Sequence, residues 1–158
     1  PRILEPAGAT SLQAVAAGAL IGSAQVAARI FEASFLSRYH PLVSGRLACL
    51  THPIGAAILG LAGGGAASVF AVFHGTGNGI LTIARGTMPL AIFGPQNYAY
   101  RLGIIGAPAR IAQAGAPLAF SLLIDVMGSR VLMVSSALSV AALLAMLLLR
   151  TTAPPAEA

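Results

Sequence analysis

Apolar residues run along this chain in long stretches, broken by short clusters of polar and turn-forming residues. Five stretches are long enough to cross a hydrocarbon core of about 30 Å as helices: residues 10–32, 47–73, 75–94, 107–126 and 131–149. Residues 1–9, with two prolines, predict a loop or interfacial lead-in. Residues 33–46 and 94–106 predict polar connectors, a short turn is expected at 74–77, and Asp125, Gly128 and Ser129 mark another. The Pro/Ala-rich segment 151–158 predicts a disordered tail. The expectation is an all-α integral membrane helical bundle with five predicted transmembrane helices.

Polar positions divide these helices into two kinds. In the first, Ser11, Gly18, Gly22, Gln25, Arg29 and Glu32 gather within an arc of about 80°. In the third, Gly75, Asn78, Thr82, Arg85 and Pro89 share an arc of about 80°. In the fourth, Arg110, Gln113, Pro117 and Ser121 do the same. The second and fifth helices have no polar face beyond Thr51, His52 and Ser68 in one and three serines in the other. In a bundle enclosing an aqueous cavity, striped helices line the cavity and bland ones face lipid. Arg85 is the most informative position, because an arginine near the bilayer centre costs roughly 2.5–3.5 kcal/mol on insertion scales. It is the candidate for contact with a substrate or counter-ion, with Asn78, Thr82, Gln25 and Gln113 as polar lining. Gly18 with Gly22, and Gly75 with Gly79, are small-xxx-small pairs suited to close helix packing. Arg29 and Arg110 read as cations reaching the interface from near their helix ends, and Glu32 as the i,i+3 partner of Arg29.

Charge orients the bundle. One side collects Arg38, Arg46, Arg101 and Arg150, with Arg29 and Arg110 near it, while the other has Arg2 and Arg130. The positive-inside rule therefore puts the two polar connectors and the C-terminus in the cytoplasm, with Tyr39, Tyr98 and Tyr100 at that interface.

Composition agrees with a lipid environment. The chain of 158 residues is 57% apolar and only 8% charged, against about 25% charged in an ordinary soluble domain. The formal charge of +5 comes from arginines spread singly, without the basic cluster or interleaved aromatics of a nucleic-acid binder. Cys49 stands alone, which leaves no disulfide framework or thiolate metal site. No HExxH, GxSxG, CxxC or Walker sequence is present, and His40, His52 and His74 lack metal-ligand spacing, so neither an enzyme nor a cofactor is expected. GTGNG at 75–79 opens a membrane helix rather than following a strand, so close backbone packing explains it better than a phosphate cradle. The start at Pro1-Arg2 shows no signal-peptide pattern and reads as a cut through a longer chain.

Three segments carry a resemblance: GSAQVAARIFE (22–32), GTGNGILTIARGTMPLAIFG (75–94) and RLGIIGAPARIAQAGAPLAFSLLIDVMG (101–128). They resemble the C-terminal half of a bacterial major facilitator superfamily (MFS) transporter, with the five spans as helices eight to twelve of twelve. The family's G-x-x-x-D-R-x-G-R loop motif is not present; Gly22, Gln25 and Arg29 echo its degenerate second-half form. The resemblance implies a partial MFS transporter fold, multi-pass in the bacterial inner membrane. It also implies alternating access without covalent chemistry, with a small solute, the lipid bilayer and the missing N-terminal half of the same transporter as partners. A cavity arginine leans the solute toward an anionic group. The competing expectation is a non-catalytic membrane anchor or assembly subunit of a larger complex.

Overall fold

The computed structural model describes residues 3–149. Every regular element among them is helical: α1 (Ser11–Ser34), α2 (Pro41–Ala62), α3 (Ala67–Phe93), α4 (Tyr98–Met127) and α5 (Val131–Leu148). Three continuous helical runs are long and apolar enough to cross a membrane: Ser11–Arg38, Pro41–Phe93 and Tyr98–Leu148. The composition and these runs fit a membrane protein. Straight, the 53-residue second run would measure about 80 Å, more than twice the hydrocarbon core. Instead it folds back at the 3-10 turn Gly63–Ala66, where Gly63 adopts φ +66°. The third run folds at Gly128–Arg130, with Gly128 at φ +56°.

Local chemistry sets the helix ends. Thr10 and Gln13 form a capping box at the start of α1: the Thr10 N–H donates to Gln13 Oε1 (2.9 Å) and the Gln13 N–H to Thr10 Oγ1 (3.2 Å). His40 caps α2, its Nδ1 accepting from the Leu42 N–H (3.2 Å), and Pro41 takes the first helical position. His40 is thus a half-buried helix cap. Gly94, at φ +72°, closes α3.

Several expected boundaries change as a result. The second helix starts at Pro41 rather than at 47 and ends at Ala62 rather than at 73. Residues 74–77 are no turn but the interior of α3, and α4 already begins at Tyr98. The turn moves to the three glycines because only they supply a positive φ cheaply, whereas Gly75 and Gly77 lie buried in helix contacts. Arg85 consequently lies eight residues, about 12 Å, from the C-terminal end of α3 and far from its N-terminus, not at the helix centre. The lead-in is not loose either. Leu4 and Ala9 are buried beside Leu59, Ala66 and Phe70, and Gly8 abuts Gly64 so closely that a Cβ on Gly64 would overlap its backbone. Residues 1–2 and 150–158, which include Arg2, Arg150 and the expected disordered tail, lie outside the described residues.

α3 is the centre of the bundle. α1 packs along one side of it and α2 along another, α5 covers α2, and α4 touches α3 and the end of α5 only lightly. No residue of α4 is buried. The closest approach is between α1 and α3, where a Cβ on Gly75 would lie 2.6 Å from the Ile21 carbonyl oxygen and one on Gly79 2.6 Å from that of Gln25. The matching small residues on α1 are Ala24 and Ala28. A Cβ on Gly18 or Gly22 would meet nothing within 4 Å, so among the described residues that pair makes no close helix contact. The two glycines lie on the polar stripe, rotated about a quarter turn from the inner face formed by Ala14, Ala17, Ala24 and Ala28.

Glu32 is also placed differently. It is 3% exposed and accepts a hydrogen bond from Ser44 Oγ of α2 (3.1 Å), while Arg29 is exposed. The carboxylate holds α1 to α2 instead of pairing with Arg29 at the interface.

Gly79→Leu forces α1 away from α3 and is expected to destabilise the bundle by about 1–3 kcal/mol. Gly22→Ala, with open space at its Cβ, is expected to raise the melting temperature slightly, through a gain of about 0.5–1 kcal/mol in stability. Thermal unfolding of the two variants in detergent measures both.

Candidate functional site

Two groups of arginines differ in what their guanidinium groups touch. Arg46 of α2 donates from Nε and Nη2 to the Met146 carbonyl (3.2 and 2.9 Å) and from Nη2 to that of Leu149 (3.3 Å), closing the end of α5. Arg101 of α4 donates from Nη1 to the Phe93 carbonyl (2.7 Å) and lies 5.6 Å from the Phe93 ring centroid, closing the end of α3. A cation at a helix C-terminus satisfies leftover carbonyls and the negative end of the helix dipole. Arg85 and Arg110 do nothing of this kind. Both are exposed, and neither has a hydrogen-bond or ion-pair partner among the described residues.

Arg85 and Arg110 line one cleft between α3 and α4, with a volume of about 380 Å³, together with Gln113, Gly86 and Pro89. The cleft is held open at one end by α4 itself: Tyr98 Oη donates to the Gly86 carbonyl (2.9 Å), pinning the start of α4 against α3. Prolines shape its backbone. Pro89 has no N–H for the Arg85 carbonyl four residues earlier, and Pro117 has none for that of Gln113. The cleft therefore combines two cationic forks and an amide. Such a set suits a small solute carrying an anionic group, which guanidinium binds through two parallel hydrogen bonds.

The expected lining residues are only partly brought together. Arg85 and Gln113 meet in the cleft, joined by Arg110, which the sequence placed among interfacial charges. Thr82 is exposed one turn before Arg85 and donates to the Asn78 carbonyl (2.8 Å). Gln25 stays on α1, where its backbone abuts Gly79, and it does not line this cleft. Asn78 belongs to a second cavity.

That second cavity, of about 300 Å³ between α2, α3 and α5, contains residues the sequence reading passed over. His52 Nδ1 and His74 Nδ1 are 3.1 Å apart, His52 Nε2 is 2.8 Å from Ser135 Oγ, and Asn78 Nδ2 is 3.2 Å from His74 Nε2. Phe70 stacks on His74 and meets His52 edge-on. A signal for this cluster was present. His52 and His74 each lie eleven residues from Gly63, so a hairpin folded there sets them at one height. Eleven residues are about 16 Å of helix, close to half the thickness of a hydrocarbon core.

No protein-family model, curated protein or solved structure matches the chain.

Arg46→Ala removes three hydrogen bonds to helix-terminal carbonyls and is expected to cost about 1.5–3 kcal/mol of stability. Arg85→Ala and Arg110→Ala remove no internal partner and are expected to melt with the unaltered protein. Parallel thermal unfolding of the three variants distinguishes helix-capping arginines from those kept for another purpose.

Proposed function

We propose that this chain is the C-terminal part of a secondary transporter of the MFS type, moving a small anionic solute by alternating access. The observation that carries the reading is the pair Arg85 and Arg110, two guanidinium groups without internal partners facing one cleft beside Gln113. Buried or membrane-depth cations are costly and are usually paired or used. The reading takes five spans, because Pro41–Phe93 folds back at Gly63–Ala66 and Tyr98–Leu148 is interrupted at Gly128–Arg130. Arg38, Arg46 and Arg101 collect at the end of the bundle where α3 and α5 terminate, which supports a cytoplasmic placement of that end. In this reading α4, which buries none of its residues among the described part, faces the missing half of the transporter, and the cleft beside it is one wall of the solute site.

The test uses the full-length protein that carries this segment, reconstituted in liposomes. Uptake is measured for a panel of radiolabelled small carboxylates and phosphates. Arg85→Ala is expected to lower uptake of any transported anion at least tenfold while membrane insertion is unchanged. Unchanged uptake in that variant would remove Arg85 from the mechanism. A protein that moves no solute but co-purifies with a larger complex would be an anchor or assembly subunit.

A further inference from the structure

We propose that His52, His74, Asn78 and Ser135 form a binding site for a single proton, and that this proton is the coupling ion of the transport cycle. The coupling role rests on the transporter reading, while the proton site itself stands on its own geometry.

With the Asn78 amide nitrogen toward His74, one assignment of the protons matches every donor to an acceptor. Ser135 has one hydroxyl proton, which it donates to the Leu132 carbonyl (3.1 Å). Toward His52 it can therefore only accept, and His52 Nε2 must carry a hydrogen. At the other end the Asn78 amide nitrogen donates to His74 Nε2, which must then be the bare nitrogen of that ring. A neutral His74 accordingly carries its hydrogen on Nδ1 and donates it to the bare Nδ1 of His52. The result is one directed chain, Asn78 to His74 to His52 to Ser135 to the Leu132 carbonyl, with both rings neutral and every donor matched.

One proton fits this chain, and a second does not. The added proton goes to His74 Nε2. The Asn78 amide turns so that its oxygen accepts, and the positive charge is shared by moving the inner proton across the 3.1 Å gap between the two Nδ1 atoms. The only nitrogen then left bare lies inside that gap. A second proton would put two N–H groups head to head at hydrogen-bond distance, so it requires the rings, and with them α2 and α3, to separate. No other group in the cavity competes. Among the described residues Cys49 is the only other titratable side chain lining it, α5 contributes Ser135 and Ser139, and no acid or arginine lines it.

The same amide links the proton to the solute. His74, Asn78 and Arg85 lie within an arc of about 40° on α3, and Asn78 is exposed. Without the proton, the amide oxygen of Asn78 is the group left to face outward along the Arg85 stripe. With it, the NH₂ faces outward and adds a donor about 10 Å from Arg85. An anion entering this polar line meets an extra positive charge and an extra donor only when the proton is bound. Proton and anion therefore favour each other's binding and travel in the same direction.

The experiment is ¹⁵N-histidine NMR of the full-length protein in lipid bilayers, titrated with pH. At high pH His74 is expected as the Nδ1–H tautomer and His52 as the Nε2–H tautomer. On acidification the pair should take up one proton well before a second. Two rings that titrate independently, share one tautomer at high pH, or stay neutral until the protein unfolds would overturn the site. Asn78→Leu, which cannot turn an acceptor toward His74, is expected to lower the affinity for the first proton about tenfold or more, and an unchanged first step would also overturn it. The two readings fail separately. A pair that titrates as described in a protein that moves no anion sinks the transporter and leaves the site; anion uptake with a pair that never takes a proton does the reverse.

Discussion

The fold depends on the reversal at Gly63–Ala66. An apolar run as long as Pro41–Phe93 has no stable place in a bilayer as one straight helix, since nearly half of it would project into water. Three consecutive glycines permit the reversal, one of them through a backbone conformation that side chains disfavour. Once the chain turns there, the register between α2 and α3 is set. Gly45 comes beside Met88, Thr51 beside Gly77, Gly55 beside Phe73, and His52 opposite His74. The lead-in closes over the same turn through Gly8 and Leu4, so the reversal is buried on its outer side as well.

Within lipid, backbone polar groups must be satisfied by the protein, and helix ends are where that requirement is hardest to meet. Arg46 and Arg101 meet it for α5 and α3. Arginines that count toward orientation thus also act as helix caps. This separates them from Arg85 and Arg110, which lie on the same kinds of helices yet satisfy no carbonyl. Tertiary partners therefore distinguish structural from available cations, which a count of charges along the sequence cannot do.

Much of this was legible in the sequence, and the failures have physical causes. Apolar run length gave the number of helices, and Gly94-Pro95 marked the end of α3, because both depend on local chemistry alone. The break between the second and third helices was misplaced because two glycine clusters compete there, GGG at 63–65 and GTGNG at 75–79. Glycine serves a turn and a close helix crossing equally well, and only the partner helix decides which. For the same reason Gly18 and Gly22 drew attention on α1 while the contact is made by Ala24 and Ala28, whose methyl groups fit against Gly75 and Gly79. Misplacing that turn also hid the histidine pair, since its two members meet only when the hairpin folds at Gly63. Arg85 and Gln113 were found because a polar residue on an apolar helix is visible without a partner.

α3 carries both polar sites along one stripe, the histidine cavity toward its middle and the arginine cleft nearer its end. Its neighbours differ sharply in how firmly they hold it. α1 crosses it at van der Waals contact through glycine and α2 follows it along the hairpin, whereas α4 rests on it mainly through Tyr98 and Arg101 at one end. A displacement that widens or closes the Arg85 cleft therefore meets least resistance on the α4 side. A change at the His52–His74 contact is instead transmitted through the tightly packed pair α2–α3. The firmly packed middle of the helix holds the histidine cluster, and the end on which α4 rests lightly holds the arginine cleft.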